Sequence, residues 1–334
     1  MRIVDVHAHL FPPGVASGPG LPRLEVDDAT GGRLMIDDRV FRTVSAALWD
    51  VDARLTELDA QDVQLQVVSP VPVTLEVDGI PDGAAFHRSL NEGIAAAVAR
   101  APDRLVGLGA VPTEDVGAAI DELEHAVTGL GLAGVEIGAR TGGRELDDPA
   151  LLPLFRAADA LGALVFVHPL GGGAGAVRRT GQPYDFGLGM LTDTALAASA
   201  LVFGGVLDAC PGLRVLLAHG CGTFAWAHPR LSAGSALGGD HSSGDHDALV
   251  RRLWVDTLVF DPAQLGLLAH RFGADHVMVG SDHPFIPGQL EDARDLVGAA
   301  VRRGDLTDEE GAAVLAHNAL ALLGVGPAIA SVRR

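Results

Sequence analysis

Short apolar runs recur along this chain with helical patterns between them, and that alternation limits the fold more than any other feature. Residues 2–6, 63–69, 105–110, 133–138, 163–167, 213–218, 253–256 and 276–280 read as eight strands. Continuous short runs rich in Val, Ile and Leu suit strands buried on both faces. Helical patterns lie at 52–60, 82–101, 113–130, 149–161, 223–231 and 262–272, and 290–303 and 307–323 close the chain. Another comes after a glycine-rich loop at 171–189 and ends near Ala209. Asp82 and Asp261 stand as N-caps, and Thr113 opens the third helix. Such alternation predicts an α/β chain closed as a (β/α)8 TIM barrel. The Pro- and Gly-rich residues 11–50 predict an irregular insertion after the first strand. No linker or repeat divides the chain, so 1–334 reads as one domain.

The strands end in polar residues. His7 and His9 leave the first strand on the same side. His168 ends the fifth, His219 the sixth and Asp282 the eighth. Barrel enzymes carry their chemistry at the C-terminal ends of the strands. A His-x-His pair alone is commonly incidental, and a lone His168 or His219 would read as a hydrogen-bonded core residue. Gathered at separate strand tips, these residues are far harder to explain as packing. His7, His9, His168 and Asp282 offer three neutral nitrogens and a carboxylate to one divalent cation. Zn²⁺ suits that set first, and Mn²⁺, Fe²⁺ and Co²⁺ also fit. A bound water would complete the site, its pKa lowered towards roughly 7. His219, with an ordinary pKa of about 6.5, is the nearby general base or acid. His283 comes directly after Asp282 and is expected on the pocket wall.

Other residues read as structure. His87, His125, His270, His276 and His317 fall on helices or helix ends, where surface or capping positions are expected. His241 and His246 belong to a solvated Gly/Ser/Asp-rich loop, and Cys221 is a pocket-wall thiol. Gly171–Ala176 loosely fits a dinucleotide fingerprint with Asp193 about 20 residues on. Pro169 and the five preceding strands favour a loop above the site instead.

Composition removes several alternatives. The formal charge of −19, from 24 basic and 43 acidic residues, argues against nucleic-acid and anionic-membrane partners. A small anionic substrate remains compatible, since local arginines can oppose the global field. Every basic residue is arginine. Without lysine there is no pyridoxal-phosphate Schiff base, no lysine imine and no Walker A lysine. A carboxylated lysine bridging two metals is equally impossible, which favours a mononuclear site. Cys210 and Cys221 form neither a zinc-type pair nor a disulfide scaffold. No signal-like N-terminus or long apolar run stands out, so a cytoplasmic protein without a membrane span is expected.

Seven stretches carry a family resemblance: DVHAHLFP (5–12), VFRTVSAALWD (40–50), QVVSPVPV (66–73), FVHP (166–169), AHGCGTFAWAHPRL (218–231), VDTLVFDP (255–262) and MVGSDHPF (278–285). The chain resembles the aminocarboxymuconate-semialdehyde decarboxylase branch of the amidohydrolase superfamily, nearly end to end. The resemblance implies a (β/α)8 barrel, one divalent metal, commonly zinc, and non-oxidative decarboxylation of a small unsaturated or aromatic acid without an organic cofactor. It implies metal ligation by His7, His9, His168 and Asp282, and activation of the metal's water by His219. It implies that Arg42 grips a substrate carboxylate and that Arg230 binds a second one across a homodimer interface. The guanidinium fork suits both tasks. Departures from the pattern are Cys221 for a glycine, His283 for a tyrosine, Leu170 for an aromatic residue, and Phe186 in place of a tryptophan. The alternatives are a lactone or cyclic-amide hydrolase on the same scaffold and a non-enzymatic binding protein.

Overall fold

The computed structural model describes residues 2–325, apart from 76, 78, 81, 174 and 238–244. Strand β1 (Ile3–Leu10) precedes the insertion strands β2 (Pro22–Val26), β3 (Gly31–Ile36) and β4 (Arg39–Ser45). Next come α1 (Val51–Ala60), β5 (Val63–Pro70), α2 (Gly83–Arg100), β6 (Leu105–Gly109), α3 (Val116–Glu124) and β7 (Gly134–Gly138). A small hairpin, β8 (Arg140–Thr141) and β9 (Arg144–Glu145), leads to α4 (Leu152–Leu161) and β10 (Leu164–His168). After these stand α5 (Met190–Phe203), α6 (Val206–Ala209), β11 (Arg214–Leu217), α7 (Phe224–Leu237), α8 (His246–Val250) and β12 (Leu253–Asp256). The last elements are α9 (Pro262–Phe272), β13 (Val277–Met278), α10 (Gln289–Arg303), α11 (Asp308–Ala312) and α12 (Asn318–Leu323).

Eight strands pair in parallel in the order β1-β5-β6-β7-β10-β11-β12-β13. Bridges Asp5–Val279 and Ala8–His283 join the last strand region to the first and close the barrel. The expected TIM barrel is therefore what the chain forms. Side chains alternate as the pleat requires. Leu164 and Phe166 fill the interior with Val4, Val6, Leu65, Val67 and Leu216, while Val165, Val167, Val215 and Leu217 pack in the outer helical layer. Ala316, Ala319 and Leu322 join the interior cluster.

Alternation alone would not put Val4 and Val6 in the same interior as His7. Between Asp5 and Ala8, β1 advances three residues while β5 advances two, from Gln66 to Val68. That extra residue is a β-bulge, which re-aims the side chains beyond it. His7 thus packs edge-on against the interior Phe166, ring centroids 4.9 Å apart.

The insertion is not irregular. Strands β2, β3 and β4 form an antiparallel sheet, because Leu34 and Val44 are buried against Phe11, Val71 and Phe285 beside the barrel mouth. Its second turn is the two-residue Asp37-Asp38, with Asp37 at φ 50°, a conformation that Asp tolerates better than most residues. Two caps also differ. Asp115, not Thr113, caps α3 by accepting the Gly117 and Ala118 N–H groups; Thr113 accepts from the Thr141 hydroxyl instead. Asp82 sits at the N-cap of α2 in the left-handed region and makes no side-chain cap bond. Asp261 caps α9 as expected.

His87 is fully buried rather than surface-exposed, with Nε2 2.9 Å from the Thr74 carbonyl. His246 opens α8 and packs on Phe203 at 4.3 Å between centroids, so it is not in a loop; His241 lies outside the described residues. The sequence predicts no membrane span, yet the helical run Asp185–Phe203 is long and apolar enough to cross one by length and composition. Its Thr194, Ala197, Ala198, Leu201 and Val202 are buried here against the barrel.

Candidate metal centre

The bulged end of β1, the tip of β10 and the turn after β13 bring His7, His9, His168 and Asp282 together. One ligand atom from each lies within 4.8 Å of the others. Their hydrogen bonds dictate the tautomers. His7 Nδ1 lies 2.7 Å from Asp256 Oδ2, His9 Nδ1 2.7 Å from the Pro70 carbonyl, and His168 Nδ1 2.8 Å from the Pro169 carbonyl. Each partner accepts, so each Nδ1 carries a hydrogen, and Nε2 is the nitrogen that the neutral ring offers to a cation. All three Nε2 atoms are buried without a hydrogen-bond partner among the described residues. His9 Nε2 and Asp282 Oδ1 are 3.1 Å apart and His7 Nε2 and Asp282 Oδ1 3.9 Å. Lone pairs aimed at a carboxylate in a buried space repel one another unless a cation stands among them. The residues fit a divalent ion: three imidazole nitrogens and one oxygen, as tetrahedral or expanded sites use.

His219 stands beside this group, its ring 5.0 Å from His168 and 5.3 Å from His7. It occupies a turn in which His219, Gly220, Cys221 and Gly222 all have φ between 57° and 64°. Asp282 is left-handed as well, at 56°. Non-glycine residues held there cost about 1–3 kcal/mol each and gather at functional sites. Burial pushes His219 down to about 4, so it is neutral near pH 7.

Sequence reasoning passed over Asp256, the residue that ties these parts together. Fully buried at the end of β12, its carboxylate accepts from His7 Nδ1 and from the N–H groups of His219 (2.9 Å), Gly220 (2.9 Å) and Leu258 (3.0 Å). Burial alone would raise its carboxyl, but the hydrogen bond from His7 holds it below the usual range. Its place at the end of the seventh barrel strand was the available signal.

A cavity of about 570 Å³ opens over the four donors; His168, His219 and Asp282 line it, and so do Arg42 and Phe186. Arg42 donates to the Phe285 carbonyl at 2.9 Å and stacks on that ring. Arg39 lines the same cavity and was also missed. A bulge between Leu34 and Met35 pairs them with Arg42 and Val40, leaving Phe41 extra on β4. That shift lets Arg39, Phe41 and Arg42 all face one cavity, which strict alternation forbids. The glycine-rich loop contributes Gln182 and Phe186, as a loop above the site should.

Three expected residues do not line this cavity. His283 is turned away from the cavity, with Nε2 2.7 Å from Glu57 and Nδ1 3.2 Å from the buried Arg54. Being next to Asp282, it leaves the chain on the other side. Cys221 packs in the outer core rather than on the pocket wall. Arg230 is exposed on α7 and lines neither this cavity nor the smaller one beside His219.

Comparison with known proteins agrees with this geometry. The amidohydrolase family profile matches residues 4–325. The 2-amino-3-carboxymuconate-6-semialdehyde decarboxylase of Dictyostelium discoideum is 33% identical, over 97% of this chain and 92% of that protein. The crystal structure of Metarhizium anisopliae IDCase in apo form superposes with a TM-score of 0.82 at 22% identity, covering 97% of both chains. A dihydroxybenzoic acid decarboxylase from Polaromonas sp. JS666, solved with bound manganese, has a TM-score of 0.72 at 17% identity, again over 97% of each chain. A barrel with this donor set, matched along almost its whole length, belongs to the amidohydrolase family.

Proposed function

We propose that this chain is a metal-dependent, non-oxidative decarboxylase of a small unsaturated or aromatic carboxylic acid. The observation that carries the reading is the convergence of three lone-pair nitrogens and Asp282 on one point, beneath a cavity with arginines at its rim. Relatives of this architecture are decarboxylases of a carboxymuconate semialdehyde and of aromatic acids, which supports the same reaction class here. His7, His9, His168 and Asp282 would hold the metal, zinc or manganese. Bound there, a divalent cation supplies Lewis-acid stabilisation of developing negative charge.

The chain's own residues do the rest. Arg42 holds a carboxylate of the substrate and fixes its orientation. When the bond to CO₂ breaks, its electron pair stays on carbon and a proton must arrive there. His219, neutral and buried at the cavity wall, takes a proton from solvent water and passes it to that carbon. Asp256 keeps both His7 and His219 in register throughout. Arg230 meets the substrate from a second copy of the chain.

The test is CO₂ release from a panel of carboxymuconate and hydroxybenzoate acids by zinc- and manganese-loaded protein. Turnover of at least one acid is expected, with His219→Asn slowing it about 10²- to 10⁴-fold at unchanged metal content. A fully metal-loaded chain that releases no CO₂ from any of them would contradict the reading.

A further inference from the structure

His219 borders two cavities. Beside the arginine-lined one lies a smaller cavity of about 230 Å³ that also reaches His219 and shares Phe186 and Met190 with it. Its character is different. Among the described residues, Leu191, Leu258, Val259 and Phe260 make most of the remaining wall, Gln264 is the polar side chain besides His219, and no charged side chain lines it. The Phe186 and Phe260 rings stand 5.8 Å apart, each about half exposed, so their edges meet solvent at the opening.

Its size and position narrow what it can take. Pockets for whole small ligands run from roughly 300 to 1,000 Å³; this one has room for part of a molecule. The side chains of Leu191, Leu258, Val259 and Phe260 give an apolar group contact and burial on several sides. An anion would lose its hydration there with no arginine among the described lining residues, whereas the neighbouring cavity offers Arg39 and Arg42. His219, Phe186 and Met190 belong to both walls, so the two cavities adjoin at the residue assigned to move the proton.

We propose that the smaller cavity is a subsite for an uncharged alkyl or aryl substituent carried by the acid that the arginine-lined cavity holds. The substrate is thus anionic at one end and apolar at the other, and the two cavities sort the ends on either side of the reacting carbon. This rests on the carboxylic-acid reading above and adds to it what the rest of the substrate must be.

Calorimetric titration of the manganese-loaded full chain with benzoate, and with 3- and 4-alkylbenzoates from methyl to butyl, tests it without requiring turnover. Affinity should rise about fourfold per methylene in at least one series, equivalent to ~0.8 kcal/mol per buried methylene. Gln264→Trp, which fills the cavity from α9, should abolish that dependence and leave benzoate binding unchanged. Phe260→Gly should shrink the gain per methylene, and glycine accepts the φ of 59° at that position. Benzoate binding with no length dependence in either series would overturn the subsite alone, as would a dependence that survives Gln264→Trp. No binding of benzoate at all would overturn the carboxylic-acid reading, and the subsite with it.

Discussion

Asp256 is where the site's chemistry and its architecture meet. One carboxylate sets the tautomer of His7 and, through two backbone N–H groups, the position of His219. Asp256→Asn keeps the volume but puts a donor where acceptors are needed. We expect a fall in metal affinity of about 10- to 100-fold, measured by competition with a chromophoric chelator, with the far-UV spectrum unchanged. Wild-type affinity in that variant would show that Asp256 only packs. At this scale the sequence was legible where a residue's position in its strand told its role. His168, His219 and Asp282 stand at or just past the ends of apolar runs, which places them at the barrel mouth. Asp256 ends such a run too, but a carboxylate that accepts four hydrogen bonds and holds other groups in place looks, in sequence, like any strand-end acid. His283 misled because a neighbour of a ligand shares its place in the chain and not its direction. Arg39 and Arg42 share a cavity only because of a bulge, which no side-chain pattern announces.

Bulges and turns, rather than regular strands and helices, aim the functional groups. The run His219–Gly222 stays left-handed over four residues, and a Cβ on Gly222 would sit against the Leu191 carbonyl. Gly222→Ala should destabilise the protein by roughly 2 kcal/mol or more, read from the urea midpoint; a loss within error would mean that the turn relaxes freely. Helix α2 carries a second expectation. His87 donates through Nε2 to the Thr74 carbonyl, and its Nδ1 is buried without a partner, so a second proton there has nothing to bond. Burial accordingly takes its pKa from 6.5 down to about 4. Between those values the unfolded chain binds more protons than the folded one. Stability should therefore be complete above about pH 6.5 and decline as the pH falls towards 4, by up to ~3 kcal/mol. His87→Gln, which can still donate to Thr74, should flatten that part of the profile in urea titrations across the window. Equal acid losses in both proteins would rule out His87 as the cause. Helix and strand positions were readable because apolar periodicity sets them. The insertion sheet was not, since its buried positions are covered by Phe11 at its start and by Val71 and Phe285 from distant parts of the chain.

At the scale of the whole molecule, the donors sit on the two ends of a closed cycle. His7 and His9 belong to the first barrel strand, Asp282 lies just past the last, and His168 comes from the fifth, opposite the seam. A cation held by all four ties that seam shut. Metal binding should therefore stabilise the fold by about 2.7 kcal/mol when free metal is 100 times its Kd, seen as a fall in Tm on chelation that readdition reverses. An unchanged Tm would separate the donors from the stability of the barrel. Arg230 calls for a different experiment, because one chain cannot place it at its own cavity. If a second copy supplies it, mixing Arg230→Ala with His219→Asn protein after subunit exchange should restore turnover that neither shows alone. The claim on which all else depends is the cation itself. Crystals grown with zinc or manganese, and measured at the absorption edge of that metal, should give a single anomalous peak about 2.0–2.3 Å from the Nε2 atoms of His7, His9 and His168 and from an Asp282 oxygen. A peak elsewhere, or none in crystals soaked with excess metal, would contradict it.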